Sequence, residues 1–158
     1  AVKTPSIESM ADASFKRINK TSRIGYVFRI REESELKNKI IDNNIYKNIF
    51  CWKSKKLGRL VDSTTAAELL GMKAAVKIAY KYIKFVKDLW GCSNLVYVHY
   101  TANLPLVKII EKGKFDEEPS LSGEVKYCIQ CLEDTDALVR WIDTKNMLAD
   151  SLTKFVKV

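Results

Sequence analysis

The segment 63–91, STTAAELLGMKAAVKIAYKYIKFVKDLWG, constrains the fold more than any other part of the chain. Leu69, Met72, Val76, Ala79, Ile83, Val86 and Trp90 follow one another at steps of three and four, which places them on one face of a helix. Ser63 or Thr64 can cap its start and Gly91 can end it. A single apolar stripe of this length needs a sheet or other helices against it. Lys73, Lys77, Lys84 and Lys87 lie off that face, either tracking a phosphate backbone or forming a solvated surface.

The sequence before the helix reads as strands. Residues 6–15 carry a short strand pattern ending at Asp12. Residues 22–30, SRIGYVFRI, alternate and are rich in aromatic and β-branched side chains. Residues 49–53, IFCWK, give a third strand. Between the last two, residues 31–48 are polar, with a turn at Asp42-Asn43-Asn44, and suit an extended hairpin or an insertion. After the helix come a strand at 95–99, a short helix at about 102–111 and a loop, KGKFDEEPSLSG. A helix across EVKYCIQCLE, a strand in ALVRWID and a terminal helix, KNMLADSLTKFV, capped by Thr144, complete the chain. Three early strands form a meander, and a strand after a long helix can return parallel. The expected product is one α/β domain over residues 1–158, built on a mixed five-stranded sheet flanked by helices.

With 158 residues, 47% of them hydrophobic, the chain can bury a sizeable core. Its formal net charge of +8 favours an anionic partner, nucleic acid being the commonest. No apolar run approaches the ~20 residues that cross a bilayer, and no membrane partner is expected. Cys51, Cys92, Cys128 and Cys131 do not form a disulfide ladder, which points to a reducing intracellular compartment, cytoplasm or nucleus. Cys128 and Cys131 would need two further ligands for zinc; the plainer expectation is a pair one helical turn apart with at least one packed. The chain starts at Ala1, as a piece excised from something longer would.

In a sheet of this kind three acids occupy places that converge: Asp12 at the end of the first strand, Glu68 in the first turns of the long helix, and Asp150 near the end of the chain. Gathered carboxylates repel one another unless a cation holds them. Mg²⁺ prefers oxygen ligands, and two such ions can stabilise both oxygens of a phosphodiester displacement. His99, the one histidine of the chain, ends the 95–99 strand. It has no Ser or Cys partner on a Gly-framed turn, and no Gly-rich phosphate loop is present.

The pieces ADASF, TSRIGYVF, IFCWKSKK, DSTTAAELLGMKAA, LVYVHYTANLPLVK and WIDTKNMLADSLTK run in order over most of residues 10–155. Together they resemble the ribonuclease H domain of copia-type LTR retrotransposon polyproteins. The resemblance implies a ribonuclease H-like fold with the first three strands antiparallel and helices on both faces. It also implies hydrolysis of the RNA strand of RNA–DNA hybrids with two Mg²⁺ or Mn²⁺ ions. Of the family's four acids, the first falls on Asp12, expected to touch both ions, the second on Glu68, and the fourth on Asp150, on the ion that activates water. The third is expected to end the fourth strand, and there it falls on His99; no Asp or Glu lies between Asp88 and Glu111. Ala66 also replaces an acid common in the family. A neutral imidazole suits Zn²⁺, Mn²⁺ or Cu²⁺ better than Mg²⁺, so activity with Mg²⁺ is expected to be weak or absent. Alternatively His99 takes Mn²⁺ or holds a water.

A hybrid duplex is read through its shape, 2′-hydroxyls and phosphates. Donors cluster in CWKSKKLGR, namely Lys53, Ser54, Lys55, Lys56 and Arg59, and Ser63, Thr64 and Thr65 add hydroxyls at a helix start. Trp52 and Trp141 lie within strand patterns and are expected in the core. Two readings stay open: a ribonuclease H domain of a retroelement Pol polyprotein, or a repurposed module that holds nucleic acid or a protein without cutting. An integrase-like core fits the ending LADSLTK less well.

Overall fold

The computed structural model describes residues 5–15, 22–32, 48–91 and 95–154. Among these, five strands form one sheet: β1 (Pro5–Ser14), β2 (Arg23–Glu32), β3 (Ile49–Lys56), β4 (Val96–Thr101) and β5 (Leu138–Trp141). Their order across the sheet is β3-β2-β1-β4-β5. The first three strands are antiparallel, while β4 runs parallel to β1 and β5 parallel to β4. This is the expected mixed sheet, with four strands running further than read from sequence: β1 passes Asp12, β2 reaches Glu32, β3 reaches Lys56 and β4 passes His99. Most of the polar stretch 31–48, residues 33–47, lies outside the described residues, as does Cys92.

Side chains alternate across β1, so Ile7 and Ala11 face one side of the sheet and Met10 and Asp12 the other. Ile7 and Ala11 meet the long helix α1 (Thr64–Trp90) through Ala75, Ala79 and Ile83. The Ser63 hydroxyl accepts from the Ala66 amide at 3.0 Å. Gly91 closes the helix at φ 61° with its amide on the Lys87 carbonyl, a left-handed geometry that costs glycine little. The stripe from Leu69 to Val86 is buried; the side chain of Trp90 is outside the described ones. Helices α2 (Leu104–Lys112) and α3 (Ser122–Asp134) join α1 in a second core of Leu69, Met72, Leu106, Val125 and Cys128. Cys128 and Cys131 are both buried on α3, one turn apart, and burial pushes the Cys128 thiol up to about 12.

The opposite face is covered differently from expectation. The terminal segment forms two 3-10 turns, Thr144–Asn146 and Leu148–Leu152, in place of an α-helix. Asp143, not Thr144, caps the first turn, accepting from the Lys145 amide, and Met147 between the turns is extended at ψ 101°. That break lets Met147, Leu148 and Ala149 lie flat on Met10 and Val27. Trp52 and Trp141 are also not core residues: they are 66% and 53% exposed. Both stand on edge strands, where a strand-like pattern persists but one flank has no neighbour. No helix among the described residues is long and apolar enough to cross a membrane.

Candidate active site

Asp12, Glu68 and Asp150 meet at one end of β1, brought there by three distant parts of the chain. Asp12 sits on β1 opposite Gly25 of β2. Glu68 comes from the second turn of α1, which lies close on β1: a Cβ added to Gly71 would touch the Asp12 carbonyl at 3.4 Å. The Glu68 carboxyl hydrogen-bonds to that of Asp12 and accepts from the Ala13 backbone. Burial, the charge of Asp12 and then that of Asp150 raise Glu68 to about 9. Two carboxyls in contact away from water share a proton when no cation separates them.

Asp150 arrives on the second 3-10 turn, held by contacts that the sequence did not single out. Thr153 donates its hydroxyl to Asp12 Oδ2 at 2.7 Å, and Ser54 donates to the Leu152 carbonyl at 2.5 Å. Lys154 places its ammonium 2.7 Å from Asp150 Oδ1 and 2.9 Å from Oδ2. A hydroxyl three residues beyond an acid was the available signal for Thr153; only the tertiary fold reveals Ser54 in this role.

His99 does not join the acids. It is fully buried on the α1 side of the sheet, beside Ser9, whose hydroxyl lies 2.6 Å from His99 Nδ1 and 2.5 Å from the Tyr97 hydroxyl. Strand alternation decides this: Ser9 and Asp12 are three residues apart and so point to opposite faces. Desolvation lowers His99 to about 3, which keeps it a neutral imidazole. Its Nε2 has no hydrogen-bond partner among the described residues. The expectation that His99 stands in for the third acid is therefore corrected.

The donor set suits a hard divalent cation only in part. Asp12 and Glu68 offer paired carboxyl oxygens, but as the side chains stand no three His, Cys, Asp or Glu groups among the described residues close on one ion. Asp150 is turned to Lys154. One cation between Asp12 and Glu68, with Asp150 released from its lysine, matches these donors; a second lacks ligands.

The expected substrate donors divide in two. Lys53, Lys55 and Lys56 are exposed on β3, and Thr64 is exposed at the start of α1. Three others are engaged within the protein. Ser54 anchors the terminal segment, Arg59 pairs with Glu124 at 2.7 Å, and Ser63 caps α1. On the Met10 side, the buried Glu8 is ion-paired with Arg29 at 2.5 Å.

No family model matches the chain, and no curated protein matches it. Solved structures do. Ribonuclease H1 from the halophilic archaeon Halobacterium salinarum NRC-1 superposes with a TM-score of 0.62 at 14% identity, covering 93% of each chain. LC11-RNase H1, solved in complex with an RNA/DNA hybrid, gives a TM-score of 0.65 at 15% identity and 92% of each chain. The foamy viral protease-reverse transcriptase, in complex with dsDNA, gives 0.58 at 16% identity, covering 96% of this chain and 92% of that one. The fold is thus that of ribonuclease H.

Proposed function

We propose that this chain is the ribonuclease H domain of a copia-type retrotransposon Pol polyprotein, that it binds RNA–DNA hybrids, and that it cleaves the RNA strand slowly. The observation that carries the reading is the meeting of Asp12, Glu68 and Asp150 from three distant parts of the chain at one end of β1. Neighbours of the same fold that were solved with an RNA/DNA hybrid or with dsDNA support a nucleic-acid partner.

A divalent ion, Mg²⁺ or Mn²⁺, supplies Lewis-acid stabilisation of the phosphoryl oxygens and a more acidic bound water. Asp12 and Glu68 would hold it, Glu68 giving up its proton to do so. Asp150 would orient the water for attack, which requires Lys154 to leave it; at 62% side-chain exposure that ammonium has room to swing to a phosphate. Lys53, Lys55 and Lys56 would meet backbone phosphates beside the site, and Thr64 the free amides' end of α1.

The engagement of Asp150 by Lys154 favours one rival, a module that holds hybrid without cutting. Cleavage of a labelled RNA–DNA hybrid in Mg²⁺ and in Mn²⁺ separates the two. The expected result is slow cleavage of the RNA strand, faster in Mn²⁺ and abolished by Asp12→Asn. Binding without cleavage in either metal would establish the rival, and failure to bind any hybrid would sink both.

A further inference from the structure

We infer that Ala102 is the residue that limits this site to a single divalent cation. The inference rests on the reading above that Asp12, Glu68 and Asp150 take such a cation. Its basis is the parallel register of β1 and β4, which pairs Ser6 with Val96 and continues to Met10 with Tyr100. Each β4 partner is 90 residues on (96 − 6 = 90, 100 − 10 = 90). Carried two residues beyond the last pair, just past the end of β4 at Thr101, the same register would set Asp12 level with Ala102.

The face is also fixed. Tyr100 and Ala102 pack with Met10, Met147, Leu148 and Ala149, so Ala102 lies on the Asp12 side of the sheet, whereas His99 lies on the other. Met147–Ala149 lead directly into Asp150. Ala102 therefore packs on the face that carries Asp12, against the segment that leads into Asp150. Asn103, the next residue, is committed to capping α2 through the Leu106 amide at 2.9 Å, so it cannot serve in its place.

A methyl group supplies neither a lone pair nor a charge. Two divalent ions bring four positive charges, while Asp12, Glu68 and Asp150 offer at most three negative ones, and Lys154 already neutralises part of Asp150. A carboxylate at position 102 would face Asp12 across one strand spacing, about 4.8 Å between backbones, and could share an ion with it.

Counting bound Mn²⁺ by calorimetry and by the free-ion paramagnetic resonance signal tests this without any turnover. The wild-type chain is expected to bind one Mn²⁺, and Ala102→Asp two, with the first bound at least about tenfold more tightly. Ala102→Asn, of the same size but uncharged, should stay at one. Two ions on the wild type would overturn the inference, whether or not any variant folds. So would a folded Ala102→Asp that still binds one. Hybrid affinity measured in EDTA is read separately: its loss would remove the proposed function, whereas an unchanged affinity with a wrong ion count would remove only the role of Ala102.

Discussion

Thr153 donates its hydroxyl to Asp12 across 141 residues of sequence, at 2.7 Å and out of contact with water. The bond ties the end of the described chain to the end of the first strand, so the site needs both parts of the chain in place. Thr153→Val keeps the shape and removes the donor. It is expected to destabilise the fold by about 1.5–3 kcal/mol, the range for hydrogen bonds to charged groups, and to loosen Asp150. Urea unfolding together with Mn²⁺ affinity checks both effects; a variant as stable as wild type would show that the tail is held by its apolar contacts alone.

Gly25 is the second clamp on the tail. A Cβ there would lie 2.6 Å from Leu152 Cβ, nearer than packed carbons approach. Gly25 pairs with Asp12 across β1 and β2, so the terminal segment runs over the strand position beside the acid. Gly25→Ala is expected to push Leu152 away, at a cost of about 1–3 kcal/mol from overpacking, and to slow hybrid cleavage while far-ultraviolet circular dichroism stays unchanged. Full activity in this variant would mean that Asp150 does not depend on the seat of Leu152.

The elements of this fold were legible where a local pattern determines them. The caps and the three-four spacing of α1 are properties of its own residues, and so are the alternating strands β1 and β2. What was not legible depends on neighbours. Trp52 and Trp141 sit in strand patterns, but only the strand order reveals that β3 and β5 are edges. The terminal residues carry helix-like spacing, yet Met147 is extended between two short turns, which lets the segment flatten on the sheet. The lack of an Asp or Glu between Asp88 and Glu111 was readable, but which residue stands level with Asp12 was not. Reading the strand as ending at His99 made that residue the candidate, although it pairs with Ser9 and not with a residue on the Asp12 face. The site then fell on a residue whose parity with Asp12 is wrong, and parity decides the face.

The revised division of the basic residues has a measurable consequence. Binding to a hybrid is expected to weaken steeply with salt, because each phosphate contact releases a counterion. Lys53→Ala and Lys55→Ala should each lower the slope of log affinity against log salt by roughly one. Arg59→Ala should change it little, since its guanidinium already pairs with Glu124. Equal effects from all three would show that the Arg59 pair opens on binding.

His99 is predicted to act on stability and not on metal. It is fully buried with Ser9 and Tyr97, and burial lowers it to about 3, against about 6.5 in an unfolded chain. Between those values the unfolded state binds the extra proton, so stability rises with pH through that window. It is fully present above about 6.5 and is lost as pH falls toward 3, at no more than about 1.4 kcal/mol per pH unit. His99→Asn can keep a bond to Ser9 without titrating. Its stability relative to wild type should therefore improve steadily from pH 7 to pH 4 in urea titrations. His99→Asp would bury an unpaired carboxylate and is expected to cost about 3–5 kcal/mol without adding a bound Mn²⁺. A wild-type to His99→Asn difference that does not move with pH would show that this imidazole is not desolvated, and a second ion on His99→Asp would place it among the acids after all.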